Sequence, residues 1–239
     1  MELSIIIPTY QEASGIGRLV SFLLDQAMGQ RGVEVLVVDA QSTDGTQGVA
    51  RAAGARVVES AVKSRAVQMN VGARAANGRI LYFLHADTYP PAGFIPAIIQ
   101  AVQRGHAAGC FRLAFDLPHR FLQFFCWFTR FNVGFFRFGD QSLFVLRELF
   151  LREKGFKETL LVMEDQELVR RLQRQTRFTV LRQQVTTSAR KYRENGVVRL
   201  QLIFTLLMGM YYLGFSQQKI VAVYRRLIQE KRTASAAAE

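Results

Sequence analysis

Asp39 and Asp87 each close a short apolar run, VEVLVVD (33–39) and RILYFLHAD (79–87), while Asp140, Glu164 and Asp165 stand at the starts of later elements. Carboxylates in such places can hold a hard cation against phosphate oxygens or take a proton from an attacking hydroxyl. The stretch around Asp87 makes the case best. Residues 80–84 are apolar and β-rich, which reads as a strand buried on both faces. The run stops at His85-Ala86-Asp87, and Pro90-Pro91 follow before a helix can start. A buried strand that delivers an acid at its carboxyl end is a common way for an α/β sheet to build a site. Taken alone, Asp87 also reads as a turn former or helix cap, and Asp140 as a turn closer. Asp44 or Ser42 reads as a cap, and Glu164 or Asp165 as a first-turn acid complementing a helix dipole.

The elements that must position these acids alternate. Residues 3–7 (LSIII) form a first buried strand closed by Pro8-Thr9-Tyr10, and 13–28 carry apolar residues at helical spacing. A strand at 33–38 leads through the polar turn Gln41–Thr46 to a helix that stops at Gly54. A strand at 56–59 and a helix at 65–76 bring the chain to the 80–84 strand. This β-α-β-α-β-α-β order means a parallel sheet with right-handed crossovers, so Asp39 and Asp87 can face one crevice along its carboxyl edge. A helix at 92–104, strands at 108–115, 142–146 and 178–181, and a helix opened by Glu164-Asp165 follow. Residues 187–195 read as a basic loop and 196–230 as wholly helical.

With 239 residues and 49% hydrophobic content there is ample material for a core, and no long disordered tract is expected. Cys110 and Cys126 follow no metal-ligand spacing, which suits packed thiols in a reduced compartment. The start has no secretory-signal pattern, since Pro8 breaks its apolar run. Residues 200–215 are apolar but shorter than the ~20 a spanning helix needs, so a buried or interfacial helix is expected there. The net charge of +12 suits an anionic partner: nucleic acid, a phosphorylated small molecule or an acidic membrane face. The basic residues lack interleaved aromatics on a nucleic-acid module, and no nucleic acid is expected. Residues 121–138 are dense in phenylalanine and hold the only tryptophan; such a run is core or a partly exposed apolar patch.

In order, the polar punctuation is PTYQE (8–12), VVDAQSTDGT (37–46), HAD (85–87), GDQ (139–141), MEDQEL (163–168) and SARKY (188–192). This ordered set resembles the family 2 glycosyltransferases with a GT-A fold, and more narrowly a small bacterial subgroup combining HAD, GDQ and a SARRW-like stretch. The resemblance covers about residues 3–195 and rests on the order, since no single motif is specific. It implies an α/β fold of GT-A type, a mostly parallel nucleotide-binding sheet flanked by helices, over 1–195, with a C-terminal helical extension over 196–239. It also implies a nucleoside diphosphate-sugar donor and a divalent metal, Mn²⁺ or Mg²⁺.

Residue by residue, the resemblance places Pro8, Thr9, Tyr10 and Glu12 in the loop around the nucleoside. Asp39 matches the acid that reads the base, Asp44 belongs to the same wall, and Arg65 falls near the diphosphate. Asp87 matches the last acid of the DxD motif, which holds the metal, and Asp165 the catalytic base. Asp140 falls at the acceptor or donor sugar, Gln141 and Glu164 with it at the acceptor or diphosphate, and Arg190 and Tyr192 in a mobile loop closing over the pyrophosphate. One position departs from the pattern: His85 replaces the first acid of DxD, and imidazole is a poor ligand for Mg²⁺. His85 is therefore expected to pack or to bond to a neighbouring loop. The implied activity is metal-dependent, inverting transfer of a sugar to an acceptor hydroxyl on a lipid-like or small molecule. The expected location is cytoplasmic, peripheral on the cytoplasmic face of the membrane where the surface is anionic. A sugar nucleotidyltransferase is the competing enzyme class, but PTYQEASG lacks its Gly-rich basic phosphate loop; a basic nucleic-acid binder is the non-enzymatic alternative.

Overall fold

The computed structural model describes residues 1–133 and 139–228. The end of the aromatic run (134–138) and the tail with Lys231 and Arg232 lie outside them. Strands β1 (Leu3–Thr9), β2 (Val33–Asp39), β3 (Arg56–Glu59) and β4 (Ile80–Phe83) alternate with helices α1 (Ala13–Ala27), α2 (Thr46–Ala52) and α3 (Arg65–Ala75). All four strands pair in parallel in the order β3-β2-β1-β4, with Leu3 opposite both Val33 and Ile80. This half matches the sequence pattern element for element.

The sheet continues through β7 (Leu143–Leu146), β6 (Ala108–Phe115), β8 (Phe178–Thr187) and the two-residue β5 (Thr88–Tyr89). Among these, β7 runs antiparallel to β4 and β6, and β5 antiparallel to β8, so the eight-stranded sheet is mostly parallel. Because β6 and β7 are antiparallel neighbours, residues 116–142 form one long hairpin connection between them. That connection holds α5 (Arg120–Phe128) and a 3₁₀ turn, Gly139–Gln141. The remaining helices are α4 (Phe94–Gln103), α6 (Arg147–Arg152), α7 (Glu164–Gln175), α8 (Arg190–Asn195), α9 (Val197–Tyr212) and α10 (Gln217–Leu227).

The period of two along β1 divides the core. Leu3, Ile5 and Ile7 pack with α1 and α4, while Ile6 faces α3 and α7 beside Phe83, Met69 and Leu168. Helix α3 lies so close that a Cβ on Gly72 would stand 2.4 Å from Ile6 Cγ2, which only glycine avoids. A third cluster joins Leu122 of α5 to Tyr192, Leu200, Ile203, Leu207 and Ile220.

The second half differs from its sequence reading in three places. Strand β8 runs on to Thr187 because it pairs along all of β6 through a register shift at Phe111/Arg112. The expected open loop after it is tied down: Ala189 N–H and Arg193 Nη2 both donate to Asp116 Oδ1, at 2.7 and 3.0 Å, and Arg190–Asn195 is helical. The long C-terminal helix breaks after Tyr212 at Gly214, whose φ of +81° suits glycine, and α10 folds back on α9.

Candidate functional site

The carboxyl ends of β1 and β2 carry one wall. Asp39 is fully buried and accepts four hydrogen bonds: from Thr9 Oγ1 (3.0 Å), Ser42 N (2.8 Å), Ser42 Oγ (2.6 Å) and Gln47 Nε2 (3.0 Å). These occupy the carboxylate's acceptor positions. Asp44 accepts from the backbone N–H groups of Ala13 and Thr46, the first residues of α1 and α2, and so ties both helix starts together. Burial acts to raise the Asp44 pKa, but the hydrogen bonds from Thr46 and Ala13 outweigh it and hold the group below its ordinary value. Pro8 lies in β1 and pairs with Val38. Tyr10 is 39% exposed, with Lys63 Nζ 3.2 Å from its ring centroid. Behind the wall, buried Gln68 of α3 donates to both Thr9 O and Val38 O at 2.8 Å. It supplies a donor to each carbonyl where β1 and β2 part.

The second wall is a crowd of acids. Two residues past β4 stands His85, whose Nδ1 is 2.9 Å from Asp140 Oδ1 in the 3₁₀ turn. Helix α7 starts with Glu164, buried and 3.7 Å from Arg65 Nη1, followed by Asp165. A Cβ on Gly139 would fall 2.0 Å from Asp165 Oδ2 and 3.0 Å from His85 Cε1, so Gly139 is what admits the Asp165 carboxylate beside the turn. Gln141, in the same turn, is buried, and with Gly139, His85, Asp165 and Met69 it lines a small cavity. Asp87 is half-buried, and its carboxylate accepts no hydrogen bond among the described residues; its backbone carbonyl accepts from Ser188 N–H (3.1 Å).

The acids perturb one another. Desolvation acts to lower the Arg65 pKa, but the charges of Glu164, Asp165, Asp140 and Asp87 together raise it, with Glu164 at 3.7 Å. Burial and the neighbouring Asp165 push Glu164 up to about 7. Burial also raises Asp165, against the pull of His85 and Arg65. That direction is opposite to the one the helix start alone suggests, because desolvation outweighs the dipole here. For Asp140, burial is overcome by the His85 hydrogen bond and charge and by Arg65, so its pKa lies below the ordinary range.

Glu12 stands between the two walls. Burial raises its pKa, Arg190 at 3.9 Å lowers it, and Asp87 and Asp44 raise it further. Tyr192 is buried. Its ring packs against Phe115 and Phe204 and its OH donates to Gln201 Oε1 at 2.8 Å. Backbone strain gathers in the same place. Among the described residues, five non-glycine residues have positive φ, and Gln11, Gln41, Ser142 and Met163 all lie in the loops of these walls. Sequence reasoning missed Gln68, which carries no local signal because it acts on partners distant in the chain, and it named Gly139 only as part of GDQ, without the close approach of Asp165 that depends on it.

Among the described residues no three His, Cys, Asp or Glu side chains are grouped to hold a metal ion. Asp87, half-buried, is one carboxylate there that accepts no hydrogen bond among the described residues.

A family model described as glycosyl transferase family 2 matches residues 4–145. Glycosyltransferase AglE of Haloferax volcanii is 33% identical over 94 residues, 37% of this chain and 31% of that protein. Dolichol-phosphate mannosyltransferase of Pyrococcus furiosus is 30% identical over 113 residues, 44% of this chain and 31% of that protein. The chain thus spans under a third of these relatives' own length. In structure it resembles the mannosyltransferase PcManGT from Pyrobaculum calidifontis, seen in complex with GDP-Man and Mn²⁺. The TM-score is 0.71 at 20% identity, covering 95% of this chain and 69% of that one.

Proposed function

The chain belongs to glycosyl transferase family 2 and has the GT-A fold, and from that premise we propose that it moves a sugar from a nucleoside diphosphate-sugar to an acceptor hydroxyl with inversion. The observation that carries this reading is the gathering of acids past β4 and at the start of α7, where Glu164 lies 3.7 Å from Arg65, His85 is 2.9 Å from Asp140, and Asp165 stands against Gly139. The first wall suits a nucleoside, with Tyr10 exposed at its edge and Thr9, Asp39 and Asp44 fixing its backbone. Arg65 and Arg190, each about half exposed, can meet diphosphate oxygens.

Asp87, whose carboxylate accepts no hydrogen bond among the described residues, would hold a divalent cation, Mn²⁺ or Mg²⁺, together with phosphate oxygens and water. Such a cation would supply positive charge to offset the negative charge developing on the diphosphate. Asp165 takes the acceptor proton. Its raised pKa brings its basicity nearer to neutrality, where a general base works best. His85 holds Asp140 rather than the cation, which leaves Asp140 and Gln141 to orient the sugar or the acceptor. A carboxylate that deprotonates the incoming hydroxyl serves a single displacement, hence inversion. Residues 1–195 carry this chemistry and 196–239 form an extension, and the acceptor we favour is a lipid-like alcohol.

Calorimetric titration of UDP and of GDP tests the reading. One of them binds more tightly with Mn²⁺ than without, and Asp87→Ala removes most of that gain. Equal affinity with and without metal for both nucleotides overturns it.

A further inference from the structure

Among the described residues nothing covers the outer faces of α5 and α9. On α5 and the turn after it, Leu122 enters the third core cluster while Phe124, Trp127 and Phe131 are 58%, 44% and 40% exposed. Spacings of three and four put these three on one side, away from Leu122. Helix α9 repeats the arrangement. Leu200, Ile203 and Leu207 face the cluster, whereas Leu202 and Leu206 are 63% and 50% exposed and Leu213, just past the helix end, is 79% exposed. A helix that is apolar all round requires cover all round, and α9 has it on one side only. Both helices meet the same cluster through their covered faces.

Charge identifies the cover. Residues 117–138 and 196–228 contain no Asp or Glu at all. Arg120, Arg130, Arg199, Lys219, Arg225 and Arg226, all within these stretches, are exposed. The Arg130 guanidinium lies 4.6 Å from the Trp127 ring centroid, so cation and apolar body are presented together. A second copy of this chain would bring the same positive charge to the contact and be repelled. A bilayer with anionic headgroups offers both requirements, an apolar layer and a lattice of phosphates. Among the described residues no helix is long and apolar enough to cross a membrane. We propose that the bare faces of α5 and α9 dock on an anionic lipid bilayer.

The full chain is tested by flotation with vesicles of phosphatidylglycerol and phosphatidylcholine against phosphatidylcholine alone. Trp127 is the only tryptophan, so its emission reports this face specifically. The protein is expected to float with anionic vesicles, with Trp127 emission shifted to the blue, and to leave them as salt rises. Leu202→Ser/Leu206→Ser weakens the partitioning by about tenfold or more, from lost apolar burial. Its unfolding temperature and nucleotide affinity stay unchanged, which separates failure of the docking face from failure of the transfer reading. A chain that stays unbound at low salt overturns the proposal, as does equal binding to neutral vesicles. A dimer broken by the double variant, without vesicle binding, assigns the face to a second copy and overturns it too.

Discussion

The two walls of the crevice are built from the same residue type and treat it in opposite ways. Asp39 and Asp44 spend their oxygens on the chain itself, on hydroxyls, an amide and the first N–H groups of two helices. Asp87, Asp140, Glu164 and Asp165 crowd one arginine, and burial raises two of them. A satisfied carboxylate holds a loop in shape; a crowded one keeps free energy in reserve for a ligand or a proton. The contrast separates scaffold from chemistry within a single crevice.

The sharpest way to test that division is Asp165→Asn, which keeps volume and removes basicity. Sugar transfer, followed with labelled donor, is expected to fall by about 10²–10⁴-fold with nucleotide affinity little changed. A collapse of nucleotide affinity instead would move Asp165 from the reacting centre to the binding wall. Asp39→Ala probes the other side. Losing four hydrogen bonds to a buried carboxylate is expected to cost about 2–4 kcal/mol of stability, read as a fall in denaturation midpoint. An unmoved midpoint with weakened nucleotide binding would make Asp39 a reader rather than a scaffold, and the contrast would break.

Gly139→Ala asks how finely the acid crowd is placed. The added methyl must displace Asp165, so transfer drops by about tenfold or more while the melting temperature changes little. Full activity would show that the carboxylate has room to move. The smallest effect is electrostatic. Glu164 has a pKa of about 7 in the folded chain against an ordinary 4.5. The folded state therefore binds the proton more tightly than the unfolded one. This stabilising contribution is complete below about pH 4.5 and is lost as pH rises through about 7. Glu164→Gln flattens that decline, and thermal unfolding between about pH 5 and 8 measures it. An unchanged slope would place the strain on another group.

The parallel half of the sheet was legible because each of its strands and helices has its own period and its own punctuation. LSIII and VEVLVV could be read as strands, and the acids after them as edge residues, without knowing any partner. The other half depends on pairing across distance. Nothing local in LFVL says that β7 reverses, or that β8 follows β6 well past Leu181. His85 was expected to pack or to bond to a nearby loop. That its partner is Asp140, 55 positions away, follows only from the antiparallel register of β4 with β7. Tyr192 shows another limit of local reading: that its ring joins a cluster formed with α5, α9 and α10 depends on elements distant in the chain. The break at Gly214 did carry a local signal, which the apolar run around it obscured.

The hairpin connection between β6 and β7 has a consequence for how such a chain can change over generations. Cys110 pairs with Leu143, so the two ends of the 116–142 excursion are pinned by neighbouring strands whatever lies between them. His85 and Asp140 meet through the β4–β7 register and not through the length of that excursion. The aromatic helix can therefore be lengthened, shortened or exchanged as a cassette while its last few residues still deliver the turn to the same spot. A lineage built on this framework could alter what its outer rim touches without having to relearn its chemistry.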